Sequence, residues 1–174
     1  MASKQDPALN AQIMVLHGND EFRVDERARS LLETRCPGAA AEGSLTTIHG
    51  GVDTIDEALE VLKQTMTAVQ SANLFNPLNV TWLREVSFLS GKVFQNPHVK
   101  ECLESFQEMV ENGLDRGQIL LVTVSGKMSA ASRFGKVMKK VAHLEEFQKT
   151  TKEWEVADEA KQVIQEIGYS LGTE

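Results

Sequence analysis

The chain of 174 residues holds only two cysteines, four prolines and one tyrosine, and aromatic residues make up 6% of it. Two thiols cannot staple a chain of this length, so a disulfide scaffold is excluded. Cys36 and Cys102 read instead as reduced thiols of a cytoplasmic protein. No run approaches the ~18 apolar residues that a membrane-spanning helix needs. The polar stretch Met1 to Gln12 lacks the apolar run of a secretion signal and reads as a flexible tail. Basic residues are in the minority, with 18 Lys and Arg against 25 Asp and Glu, a net charge of −7. Such a balance excludes a broad nucleic-acid grip over the whole surface. What is present is a hydrophobic fraction of 41%, enough for a sizeable globular core.

Short β runs alternate with helical runs. Ile13 to His17 is almost wholly apolar, as expected of a central strand covered on both faces. Gly18-Asn19 turns the chain, and Asp20 caps a helix to about Thr34 whose apolar positions are Phe22, Ala28, Leu31 and Leu32. A second run, Leu45 to His49, precedes Thr54-Ile55-Asp56-Glu57, which has the form of a capping box. The helix behind it carries Ile55, Leu59, Leu62, Met66 and Val69 at helical period and stops near Gln70. Asn79 to Leu83 is the third strand, and Phe88 to Asn96 reads as a loop. Pro97 opens a helix with Val99, Cys102, Leu103, Phe106, Met109 and Val110 on its buried face. Ile119 to Val124 is the strongest strand, followed by a helix over Ala131 to Val141 and a fifth strand over Leu144 to Phe147. Asp158 to Ile167 reads as a last helix. Strands alternating with helices on short links predict an α/β fold, a parallel five-stranded sheet sandwiched by helices. The domain boundary is expected at Gln148 to Glu153.

The chemistry of a site is sparse. After the first strand, Gly18-Asn19-Asp20-Glu21 lacks the second glycine and the Lys-Ser/Thr of a phosphate loop. Its acids Asp20, Glu21, Asp25 and Glu26 repel a triphosphate at the helix N-terminus. Gly126-Lys127-Met128-Ser129 follows the strongest strand but lacks the first glycine of such a loop and has Met where a hydroxyl is needed. His17 and His49 both end strands and are candidates for mutual approach, yet nothing around them supports a nucleophilic triad. His98 and Cys102 share helical spacing, but two ligands do not make a zinc site. No metal or cofactor site is expected.

Two features stand out. Residues 126–140 carry Lys127, Arg133, Lys136, Lys139 and Lys140 and no acid, and Arg133, Lys136 and Lys140 share one helix face. That face is either a contact for DNA backbone or an acidic partner, or a solvated surface opposite Phe134, Val137 and Met138. Leu74-Phe75 sit off any periodic stripe before the Asn76-Pro77 break. They either plug another protein's pocket or fold back into the core.

Val15-Leu16-His17-Gly18-Asn19-Asp20-Glu21-Phe22, then Ala72-Asn73-Leu74-Phe75-Asn76-Pro77 with Val80 to Arg84, then Ile119 to Val124 with Lys127, Ser132-Arg133 and Lys136 to Phe147, occur in this order over about residues 13–147. In order and spacing they resemble the N-terminal domain of the delta subunit of the bacterial DNA polymerase III clamp loader. The resemblance implies an AAA+ (P-loop NTPase-like) sandwich with a degenerate nucleotide loop, no ATP hydrolysis and no catalytic activity of its own. It implies binding and opening of the sliding clamp during DNA replication, with Leu74 and Phe75 as the clamp contact. It also implies other loader subunits as partners through further domains, and DNA indirectly through the complex. Residues 148–174 then read as a linker and the start of a lid-like helical domain. A nucleotide-dependent enzyme on a similar sandwich and an interaction module for another partner are the alternatives.

Overall fold

The computed structural model describes residues 6–71 and 78–149. Its five strands are β1 (Ile13–Gly18), β2 (Leu45–His49), β3 (Asn79–Val86), β4 (Gln118–Ser125) and β5 (His143–Phe147). They form one sheet in the order β2-β3-β4-β1-β5 with every pairing parallel. Its helices are α1 (Glu21–Arg35), α2 (Ile55–Gln70), a short α3 (Gly91–Gln95), α4 (Pro97–Glu111) and α5 (Arg133–Val141).

The apolar runs sit where their composition demands. Every residue of β1 is buried, and so is all of β4 except its last residue. Their side chains alternate between two cores. On one face Met14, Leu16, Val80, Trp82, Ile119 and Leu121 pack under α1 through Val24, Ala28 and Leu31. On the other, Val15, Leu83, Leu120 and Val122 pack under α2, α4 and α5 through Leu62, Val69, Leu103, Phe106, Val137 and Met138. Each such large side chain, fully buried, contributes about 1.5–3 kcal/mol. The expected capping box of α2 is present, with Thr54 and Glu57 each bonded to the other's backbone N–H. Among the described residues no helix is long and apolar enough to cross a membrane.

Four expectations change. Phe22 is 76% exposed rather than part of the α1 stripe. The buried positions Val24, Ala28 and Leu31 fall four and three apart, and a residue two before Val24 points about 200° away from it. The stretch expected as a loop over Phe88 to Asn96 contains α3, opened by Gly91 at φ 74°. The third strand runs on to Val86 past an irregularity between Leu83 and Val86, where Glu85 takes φ 59°. Finally, residues 6–12 of the expected tail pack on the domain. Pro7–Asn10 form a 3-10 turn, Ala8 is fully buried, and the Asp6 side chain accepts from the Ala8 N–H. The helix expected over Asp158 to Ile167 lies outside the described residues.

Candidate functional site

Leu74 and Phe75 lie outside the described residues, but the two ends of the chain that flank them do not. The α2 C-terminus leaves carbonyls without helical partners, and side-chain amides supply them. Asn79 Nδ2 donates to the carbonyls of Ala68 at 3.3 Å and Ser71 at 3.2 Å, and to Gln118 Oε1 at 3.0 Å. Gln118 Nε2 donates to the same Ser71 carbonyl at 2.9 Å. Gln12 Nε2 donates to the Asp115 carbonyl at 3.1 Å behind them. Gln118 is 7% exposed, so its amide depends on these partners. The end of α2 is thereby tied to the starts of β3 and β4. Sequence reasoning missed this network. Its only trace there is a polar amide at the first position of each of two apolar strand runs.

The basic face of α5 is built as its spacing predicts. Ser132 accepts from the Gly135 N–H at 3.0 Å and starts the helix. Phe134, Val137 and Met138 face the core, with the Phe134 and Phe106 rings stacked at 6.4 Å. Arg133, Lys136 and Lys140 are all exposed. Two of them meet acids of α4: Arg133 pairs with Glu104, and Lys140 lies 3.8 Å from Glu111. Exposed pairs of this kind contribute about 0–1 kcal/mol each. Lys136 has no ion pair among the described residues.

At the turn from β1 into α1 the backbone is filled by protein. Gly18 has φ 144°, and an added Cβ would stand 1.8 Å from the Phe147 carbonyl oxygen. The Gly18 N–H donates to the Gly126 carbonyl at 3.0 Å, and the Asp20 N–H to the Phe147 carbonyl at 3.3 Å. Asp20 Oδ1 accepts from the Arg23 N–H at 3.2 Å. Where an anion needs donors, this turn presents a carbonyl and carboxylates. The small cavity beside it, about 100 Å³, is lined by Glu21, Asp25 and Glu85 among others and is acidic too.

His17 and His49 do not approach: β2 and β1 are three strand spacings apart, about 14 Å. His98 is exposed, while Cys102 is half-buried against the α2–α4 core and burial raises its thiol pKa. Asp6, His143 and Glu145 have ligand atoms close enough together to hold a metal ion. A guanidinium already supplies the positive charge there. Arg27 bonds both Glu145 oxygens at 2.9 Å and Asp6 at 2.5 Å, and His143 Nε2 lies 3.1 Å from Glu145. The bond to Arg27 holds the Glu145 and Asp6 carboxyls below their ordinary pKa. Arg84, reaching Asp25 and Glu85 at 2.9 Å, stacks over Trp82 at 5.2 Å beside the strained Glu85.

No protein-family model matches the sequence, and no curated protein matches it. Among solved structures the chain is similar to the Bacillus subtilis DNA clamp loader delta protein. The TM-score is 0.57 at 14% sequence identity over 82% of this chain, which spans 41% of that protein's length. Drosophila ORC, in a structure bound to DNA, aligns with a TM-score of 0.42 at 12% identity, over 80% of this chain and 26% of that one. The likeness to the delta protein is one of fold. With the five-stranded parallel sheet it bears out the expected class, an α/β fold with one parallel five-stranded sheet sandwiched by helices.

Proposed function

We propose that this chain is the ring-binding domain of a clamp-loader subunit acting in DNA replication, docking on the sliding clamp through Leu74 and Phe75 without hydrolysing ATP. The observation that carries the reading is the fold shared with the Bacillus subtilis clamp loader delta protein, on a sequence whose Leu74-Phe75 segment joins α2 to β3. Two further features support it. The turn after β1 offers acceptors and acids where a nucleotide's phosphates need donors. The net charge of −7 suits a domain that grips a protein ring through an apolar plug and leaves DNA to the assembly.

The test is titration of the chain with the sliding clamp by calorimetry. Leu74→Ala with Phe75→Ala removes two anchor side chains, each worth about 2 kcal/mol or more at the centre of an interface, and abolishes measurable binding. Equal binding by the double variant overturns the site. A wild-type chain that does not bind the clamp overturns the reading itself.

A further inference from the structure

On the other side of the β1 end lies a second crevice that the proposed function does not use. Chain direction creates it. β1 passes to α1 on one face of the sheet, whereas β4 passes to α5 on the opposite face. In open α/β sheets such a switch between adjacent strands opens a ligand crevice beyond their carboxyl ends. Here it is a cavity of about 620 Å³ lined by His17, the 127–131 turn, α5 and β5. That volume lies within the range of small-molecule sites, and the lining has their usual character, mostly apolar with a few polar groups. Met128, Ala131 and Leu144 supply apolar wall, while His17, Lys127, Lys139 and Glu146 supply the polar groups.

His17 is the informative member. It is 93% buried at the end of an apolar strand, where burial lowers its pKa and keeps the imidazole neutral. Its Nδ1 accepts from the Met128 N–H at 3.4 Å, so the proton sits on Nε2. That N–H has no partner among the described residues, and the residue lines the crevice. Lys127 is held at 3.2 Å by Glu146, but Lys139 has no ion pair among the described residues. One buried neutral donor and one free cation therefore share an apolar crevice.

We propose that this crevice binds a small organic anion, an apolar body carrying a single carboxylate or phosphate head. The body lies against Met128 and Leu144, and the head takes the His17 Nε2–H and the Lys139 ammonium. The site is separate from the turn into α1 and from Leu74-Phe75, so it stands or falls independently of clamp binding.

The experiment titrates the full chain with phenyl phosphate, benzoate, inorganic phosphate and benzyl alcohol, reading the imidazole signals by NMR. His49, His98 and His143 are internal controls. The expected result is a saturable shift of the His17 ring alone with phenyl phosphate or benzoate, at a Kd on the order of 1 mM. Inorganic phosphate, the head alone, and benzyl alcohol, the body alone, bind roughly tenfold more weakly. The tighter of the two phenyl probes identifies the head. Lys139→Gln, an exposed change that leaves the core intact, weakens that probe about three- to tenfold. The proposal is overturned if neither phenyl probe gives a saturable His17 shift by about 20 mM. It is equally overturned if all four histidines shift together, or if Lys139→Gln binds the probe as tightly as wild type.

Discussion

Asn79 Nδ2 stands 3.0 Å from Gln118 Oε1, and both amides donate to the carbonyl of Ser71. Two residues 39 positions apart thus close the same helix end. Without Asn79 the Oε1 of Gln118, a residue only 7% exposed, loses its donor, whereas without Gln118 the Asn79 amide keeps the Ala68 and Ser71 carbonyls. Asn79→Leu is expected to cost about 1–3 kcal/mol in urea unfolding, the penalty for an unpaired buried polar group, and Gln118→Leu about 0.5–1.5 kcal/mol, the net worth of a lost hydrogen bond. Changing both removes the donor together with its side-chain acceptor, so the double variant loses less than the two single losses added. A double-mutant cycle gives this coupling directly. Strictly additive losses would show that the two amides act independently.

Gly18→Ala places a methyl group on the Phe147 carbonyl oxygen, which an ideal Cβ meets at 1.8 Å. The end of β5 must move, and the loss of stability is expected to be about 2 kcal/mol or more. Gly113→Ala is the control. It has φ 89° but nothing within 4 Å, so it pays only the left-handed backbone cost of about 1–2 kcal/mol. Thermal unfolding of both variants separates the clash from the backbone strain.

Acid should loosen the Arg27 cluster. The Asp6 and Glu145 carboxyls are lowered from 3.8 and 4.5 by their bonds to Arg27. Depressed carboxyls contribute stability that is complete above their unfolded values and lost as the pH falls through the folded ones. Unfolding free energy is therefore expected to decline below about pH 4.5. Arg27→Gln lowers stability at neutral pH and flattens this part of the profile. A variant whose acid limb matches wild type would remove Arg27 as the cause.

Millimolar Mg·ATP should leave the melting temperature unchanged. A nucleotide present at 100 times its Kd would raise stability by about 2.7 kcal/mol, which a thermal scan readily detects. An upward shift would favour the nucleotide-dependent alternative and direct attention to the turn after β1.

The strands and most helices were legible because their signals are local. β1 and β4 are apolar runs, and Thr54 with Glu57 announces the start of α2. Phe22 reads as part of the α1 stripe because it stands just before it in sequence, whereas the helix turns it outward. Strand order is not written in local pattern, so nothing in the spacing of His17 and His49 tells that two strands separate them. The same holds for the Asn79–Gln118 and Arg27–Glu145 pairings, which join residues that only the finished sheet makes neighbours. Glu85 carries no compositional mark of its positive φ, since a single glutamate between Arg84 and Val86 reads as ordinary strand.

Among the described residues β5 is an edge strand of five residues, His-Leu-Glu-Glu-Phe, with β1 as its one strand neighbour. A bare edge invites strand addition from another molecule, and short length with charge discourages it. An antiparallel second copy centred on this edge would set Glu145 opposite Glu145, one carboxylate against another at cross-strand distance. Adjacent Glu146 adds to that repulsion. The carboxylate that locks β5 to Arg27 within the molecule is thus also a deterrent to sheet extension between molecules, favouring solubility at the edge where the sheet would otherwise grow.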